Sequence, residues 1–378
     1  MTPAKLSIVH TEASLGWGGQ ELRILAESKG LMQRGHEVRL LCAPQARICS
    51  EAPAWGLPAT ALPIGEKTFG GFTALRAWFR KNRCDVISTH SSTDSWLSAL
   101  AMLSLGRPCP VVRTRHISAP VPRNFLTRWL YTRATSRVVT AGEALRRELV
   151  EGNGYPLAHV VSVPTGIDVQ RFRAGDRNAA RKALGLPIGQ PLLGIVATLR
   201  SWKGHLYLIE AFAGLPKTVR LVIVGDGPMR PQLEARVDKL GLRERTVFAG
   251  DQADVVPWLQ ALDIFVLPSY ANEGVPQALV QAMLTELPCV TTDVGSIAEV
   301  ATDGRTAIVV PPRDVLALRF ALNRLLDDGV LRNQLGTTAR THCAAHYSYE
   351  HMLDEMEKVY RQAASTSTAR TPGSRLRR

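Results

Sequence analysis

Glu273 and Gln281 are the side chains of this sequence best placed to do chemistry. They stand in Ser269-Tyr-Ala-Asn-Glu-Gly-Val-Pro-Gln-Ala-Leu-Val-Gln281, directly after the apolar run Asp263-Ile-Phe-Val-Leu-Pro268. That run predicts a buried strand ending at a proline, and residues 278–284 hold helix formers with few breakers. A polar loop between the carboxyl end of a parallel strand and a helix is where open α/β sheets bind ligands. The amides at such a helix start, here following Glu273 at Gly274 and Val275, favour anions. Glu273 can accept hydrogen bonds from sugar hydroxyls, and Gln281 can do the same for a second polyol. A second cluster, Arg200 and Lys203 in Ala197-Thr-Leu-Arg-Ser-Trp-Lys-Gly204-His205, also follows a predicted strand. Two cations at a helix start can meet an anion such as a phosphate; the plainer reading is two solvated cations in a loop.

Three further features lie at strand ends. Gly18 and Gly19, in Gly16-Trp-Gly-Gly-Gln-Glu21, let the backbone approach a phosphate or sugar closely, or simply make a turn. The spacing is not G-x-G-x-x-G, so a dinucleotide fingerprint is not supported. His90 and His116 end the strands expected at 85–89 and 111–115; a lone histidine there is often only a partner for a backbone carbonyl. His36, in Arg34-Gly-His36-Glu37, reads as structural. Gly225 and Gly227, in Gly225-Asp-Gly-Pro228, form a turn with Pro228 suited to a first helical turn.

The elements that must hold these residues alternate strand and helix along the whole chain. Strands are expected near 6–10, 38–42, 59–62, 86–89, 111–114, 137–140 and 160–163, and again near 192–197, 219–224, 246–249, 264–267, 289–291 and 307–310. This predicts an α/β protein with two doubly wound, Rossmann-like domains and the ligand between them. The expected division is 1–175 and 188–346, joined by a linker within 170–190, then a helix over 347–362 and a disordered basic tail over 363–378.

Length and composition fit two globular domains: 378 residues, 45% hydrophobic and 21% charged. The six cysteines show no C-x-x-C and read as reduced thiols of a cytoplasmic protein. No metal site is expected, since there is neither a D-x-D at a strand end nor a His/Cys cluster. The first residues run straight into a strand without a signal peptide, and no apolar run approaches a membrane span. The net charge of +13 sits mostly in residues 1–180, which carry 23 Lys and Arg against 13 Asp and Glu. Seven arginines and no acid lie between Asp94 and Glu143, with Phe125, Trp129, Leu130 and Tyr131 interleaved. This suits an anionic membrane face or a phosphorylated lipid-linked acceptor, or else a solvated basic helix with its aromatics in the core. No nucleic-acid motif accompanies the charge.

The segment from Glu273 to Gln281 resembles the Glu-x7-Glu signature of retaining glycosyltransferases of family 4, which have the GT-B fold, with Gln281 at the second Glu. The Gly18–Gly19 loop, the strand ending Thr114-Arg-His116, Val163-Pro-Thr-Gly-Ile-Asp168, the Arg200…Lys203-Gly204 pair and Gly225-Asp-Gly-Pro228 are similar to further motifs of that family, in the same order. Thr165 stands where the family has Asn, and Leu287 where it usually has Gly. The resemblance implies a cleft between the domains and a last helix crossing back onto the N-terminal one. It implies transfer of a sugar from a nucleotide-sugar to an acceptor. The acid-free basic segment then points to an acceptor in bacterial cell-surface glycan or lipopolysaccharide assembly, and to an enzyme that is cytoplasmic or peripheral at the inner membrane face. His116, Glu273, Arg200 and Lys203 would be catalytic. Gly18, Gly19, His90, Gly225, Gly227, Gly274, Val275 and Gln281 would bind the donor. No cofactor or metal is expected. The alternatives are a GT-B nucleotide-sugar epimerase and, because of Gln281, a non-catalytic sugar-nucleotide binder.

Overall fold

The computed structural model describes residues 4–106, 109–116, 120–271 and 273–368. The chain divides into two compact units, Met1–Pro164 with Met352–Arg378, and Thr165–His351.

Unit 1 is built on a seven-stranded sheet. Its strands are β1 (Ser7–Glu12), β2 (Glu37–Cys42), β3 (Ala59–Ala61), β4 (Val86–Thr89), β5 (Val111–Arg115), β6 (Arg137–Thr140) and β7 (Val160–Ser162). Their spatial order is β3-β2-β1-β4-β5-β6-β7, and every pairing is parallel. The order reverses between β1 and β4, so loops leaving the two strands' carboxyl ends diverge and open a crevice there. Helices supply the crossovers that parallel pairing requires. Unit 2 repeats the plan with β8 (Leu192–Val196), β9 (Arg220–Val224), β10 (Thr246–Gly250), β11 (Ile264–Leu267), β12 (Cys289–Thr291) and β13 (Ile308–Val309), in the order β10-β9-β8-β11-β12-β13. Its reversal falls between β8 and β11. The central strands are covered on both faces: Leu192, Leu193, Ile195, Ile264, Phe265, Val266 and Leu267 are buried. Each such side chain contributes roughly 1.5–3 kcal/mol on leaving water.

The last helix, Tyr349–Thr368, packs on unit 1. Arg34 pairs with its Asp354 at 2.8 Å and with its Glu357. His36 accepts from the Leu6 amide at 3.1 Å and lies 3.3 Å from Glu357, fixing the helix against β1. Tyr360 is fully buried, its hydroxyl donating to Glu27 at 2.6 Å.

Several expectations need correction. The helix runs on to Thr368, so residues 363–368 are not tail; residues 369–378 lie outside the described residues. The segment read as a linker belongs to unit 2 from Thr165 onward. Its helix, Arg177–Leu184, is pinned by buried Arg181, which reaches the Ala261 carbonyl at 2.8 Å and Asp263 at 2.6 Å. Cys42 and Cys49 form a disulfide rather than free thiols, because the turn after β2 brings their Cα atoms to 5.7 Å. The interleaved aromatics divide: Leu130 and Tyr131 are buried, Trp129 is half-buried, and Phe125 is exposed.

The helix Gln277–Leu284 ends where a glycine would be expected, and the residue that turns left-handed is Glu286 (φ 62°), not Leu287. The Leu287 amide reaches Ala282 O at 3.1 Å and the Glu286 amide Met283 O at 3.0 Å, a Schellman cap. A non-glycine residue there carries a strain of about 1–2 kcal/mol. Glu286→Gly is therefore expected to stabilise the protein by roughly 0.5–1 kcal/mol after the unfolded-state entropy of glycine is set against it. Denaturant unfolding checks this, and a loss of stability would contradict it.

Candidate functional site

In unit 2 the two reversal strands each deliver a loop. β8 leads through Arg200 into a tight turn, Ser201–Lys203, then Gly204 and the helix His205–Ala213. Gly204 has φ 77°, and a side chain there would run into the Pro268 carbonyl at the end of β11. The Tyr270 amide donates to Trp202 O at 2.8 Å. The two loops are thus locked backbone to backbone, and the lock brings together side chains 70 residues apart: Lys203 Nζ lies 2.7 Å and 3.0 Å from the two oxygens of Glu273.

Glu273 is 4% exposed. Ser269 Oγ donates to its Oε1 at 2.6 Å. Its backbone carbonyl accepts from Ser296 at 3.2 Å, and Gly295 packs against that carbonyl so closely that a Cβ would not fit. With both oxygens in range, Lys203 can give one proton to each, which leaves the third for another acceptor. Arg200 is exposed and stacks over Trp202 at 5.9 Å; it makes no ion pair among the described residues. The Gly274 and Val275 amides donate to nothing among the described residues, at the start of helix Gln277–Leu284. Gln277, Ala278 and Gln281 form the half-buried stripe of that otherwise buried helix. The arrangement is a fixed, neutral ion pair, with an exposed guanidinium three residues before its lysine and, after its glutamate, two amides that have no acceptor among the described residues; it suits an anionic ligand that also carries hydroxyls.

Gly225 and Gly227 stand in the loop after β9, where the Leu199 amide donates to the Asp226 carbonyl at 3.0 Å. A side chain on either glycine would strike the carbonyl of Ala197 or Leu199. Their role in the structure is therefore to let the β8 and β9 loops touch.

In unit 1, Gly18 and Gly19 open the helix Gly19–Gln33. The loop before them is tied to Glu12, whose carboxylate accepts from the Ser14 amide at 2.7 Å and Gln20 Nε2 at 2.5 Å. Burial and neighbouring Asp94 push the Glu12 carboxyl well above the usual range. Asp94 caps the helix Ser92–Ser104 and accepts from Thr11 at 2.7 Å and the His90 amide at 2.9 Å. His90 and His116 lie just past β4 and β5, with His90 Nδ1 3.0 Å from His116 Nε2. Sequence reasoning missed Ser269, Glu12, Asp94 and His10. The one available signal was polar His10-Thr11-Glu12 at the end of an otherwise apolar strand.

Residues 17–171 match the profile of the family described as Glycosyltransferase Family 4, and residues 176–342 that of Glycosyl transferases group 1. The chain is a family 4 glycosyltransferase. Among its relatives, a D-inositol 3-phosphate glycosyltransferase of Xylanimonas cellulosilytica is 29% identical across 93% of this chain and 94% of its own length. An alpha-D-kanosaminyltransferase of Streptomyces kanamyceticus is 34% identical over 51% of this chain and 52% of its own. Among solved structures, Anabaena Alr3699/HepE in complex with UDP-glucose has the same fold, with a TM-score of 0.85 at 20% identity over 94% of this chain and all of that one.

In this glycosyltransferase His205 follows Lys203 by two residues. His205 is buried, and neither ring nitrogen has a partner among the described residues. Burial, with Lys203 adding to it, pushes its pKa down to about 3. The unfolded chain takes up that proton near pH 6.5, so the stabilisation is complete above that value and is lost as the pH falls toward 3. His205→Phe is expected to flatten the decline of unit 2 stability between about pH 6 and 4 by about 1.4 kcal/mol per pH unit. Equal slopes in denaturation series of the two proteins would contradict the buried neutral imidazole.

Proposed function

We propose that this glycosyltransferase moves a sugar from a nucleoside-diphosphate sugar to an acceptor hydroxyl with retention at the anomeric carbon. The observation that carries the reading is the Lys203–Glu273 pair held across the β8/β11 reversal, with Arg200 beside it. Arg200 and the third Lys203 proton meet the diphosphate, and the Gly274 and Val275 amides with Glu273 hold the sugar. His116 gives the sugar a further hydrogen bond, as the family resemblance implies. The bond from the anomeric carbon to the phosphate oxygen breaks as the acceptor oxygen attacks from the same face. The acceptor proton passes to the departing phosphate, which becomes a better leaving group as its charge is met by fixed cations. These cations take the place of a metal in this reading. Glu273→Ala and Lys203→Ala are each expected to lower kcat/KM by about 10²–10³, with turnover of the parent protein persisting in excess chelator and the product retaining configuration by NMR. Near-normal turnover in both variants would overturn the assignment.

The acceptor side is read as a phosphorylated or lipid-linked glycan of the bacterial cell surface, lipopolysaccharide or a related glycolipid, with the enzyme cytoplasmic and peripheral to the membrane. The name of the Xylanimonas relative, a D-inositol 3-phosphate glycosyltransferase, supports a phosphorylated partner in the reaction. Unit 1 supports the membrane side: Phe69 is 79% and Phe125 78% exposed. A groove of about 590 Å³, lined by Phe69, Phe72, Trp96, Leu97, Leu100 and Leu103, lies beside Lys67. Trp96 stacks on Trp129 of the arginine-rich stretch. No helix among the described residues is long and apolar enough to cross a membrane, so attachment would be interfacial. Flotation with vesicles containing phosphatidylglycerol should recover the protein, and Phe69→Ser with Phe125→Ser should weaken this at least about tenfold. Unchanged flotation would contradict the membrane face.

Gln281 motivates the second reading, a binder without transfer, because its amide lacks the charge of a carboxylate. A large gain of activity in Gln281→Glu would favour it.

A further inference from the structure

Three imidazoles stand in a row at the carboxyl ends of β1, β4 and β5. His10 Nδ1 lies 2.9 Å from His90 Nε2, and His90 Nδ1 lies 3.0 Å from His116 Nε2. The His10 and His90 rings are nearly coplanar, 13° apart with centroids at 5.1 Å, the geometry of two rings bonded edge to edge. His90 and His116 are tilted by 31° at 5.3 Å. Each contact joins two nitrogens and so needs one proton, while a neutral imidazole carries only one N–H. The neutral row therefore has two proton arrangements, and each fixes all three tautomers at once.

In the first arrangement His10 and His90 donate from Nδ1, and His116 keeps its proton on Nδ1, the nitrogen at the outer end of the row. In the second the donors are the Nε2 nitrogens, and the row ends in an Nε2–H on His10. His10 is 0% exposed and its Nε2 has no partner among the described residues. The Tyr360 ring stands edge-on with its centroid at 6.3 Å, too distant to accept that proton well. A buried donor without an acceptor is rarer and costlier than a lone pair left unused, so the first arrangement prevails.

The surroundings keep the row neutral. Burial holds His90 and His116 well below the usual histidine range, with Arg23 adding to it in both, neighbouring histidines in the first and Arg115 in the second. Arg23 and Glu27 of helix Gly19–Gln33 face the row as a pair 3.5 Å apart. The Tyr360 hydroxyl of the last helix touches both Glu27 and Ser88, and Ser88 Oγ lies 3.3 Å from His90 Nε2. Asp94 holds the His90 backbone from the other side. The row is blind at His10, so a proton entering at His116 has no exit. It sets polarity and transports nothing.

We propose that His10 and His90 are positioning residues that fix His116 as its Nδ1–H tautomer, so that it presents a hydrogen-bond donor to an oxygen of the sugar substrate. This rests on the transferase reading only for what the donor meets; the tautomer belongs to the free protein. Long-range proton–nitrogen NMR of histidine-labelled protein without ligand reads it directly. His116 is expected with its proton on Nδ1, the minor form of free histidine. His10→Leu should release the constraint and shift His116 toward Nε2–H, with kcat/KM falling about tenfold, the equivalent of one hydrogen bond. His10→Asn, which returns an N–H near the lost Nδ1, should restore both readouts. An Nε2–H tautomer at His116 in the parent protein overturns the proposal even where His10→Leu fails to fold, and so does a tautomer that His10→Leu leaves unchanged. Failure of the transferase reading shows separately, as absence of transfer by a parent protein whose His116 is still Nδ1–H.

Discussion

The ion pair between Lys203 and Glu273 is the constraint on which the unit 2 site depends. The two residues lie 70 apart in sequence, and only the neighbouring positions of β8 and β11 at the sheet's reversal bring them within 2.7 Å. A buried carboxylate alone would be unfavourable, and an ammonium alone would wander. Paired, they fix each other, and the cation that a diphosphate would meet is oriented before the ligand arrives. Preorganisation of this kind is what allows fixed charges to act strongly in a dry site. The surrounding glycines follow from it. Gly204 and Gly295 are small because the loops must approach within backbone contact for the pair to form.

Unit 1 uses the same topological place differently. Its reversal, between β1 and β4, holds not a cation–anion pair but a contact between two neutral histidines, flanked by buried carboxyls at Glu12 and Asp94. Many of the polar groups there bond to one another, to loop amides and to the last helix through Tyr360, while His10 Nε2 is left without a partner among the described residues. One fold thus carries two polar arrangements at its reversals: an ion pair in unit 2 and a row of imidazoles in unit 1.

Much of this was legible in the residues. The apolar run before Ser269, the helix formers after Val275 and the glycine after Lys203 each mark a strand–loop–helix joint by local chemistry. Strand alternation of period and length gave both sheets for the same reason. What could not be read were the long-range partners. Nothing local to Lys203 names Glu273, and Tyr360 meets Ser88 only after 272 residues of intervening chain. Glycine and charge mark 170–190 as a linker, but Arg181 is held by Asp263, a contact invisible from composition. The disulfide was missed because Cys42 and Cys49 have no motif spacing and meet only through the turn between them. Glu286 was missed because a Schellman cap is defined by φ, which a non-glycine residue does not advertise.

The most direct test of the account is a double-mutant cycle on nucleoside-diphosphate-sugar binding, using Lys203→Met, Glu273→Gln and the two combined, followed by calorimetry in chelator. If the pair acts as one oriented unit, the double variant binds about as weakly as the worse single variant, a coupling of about 1–3 kcal/mol. Losses that simply add would mean that the two side chains meet the ligand independently, and the central claim would fail.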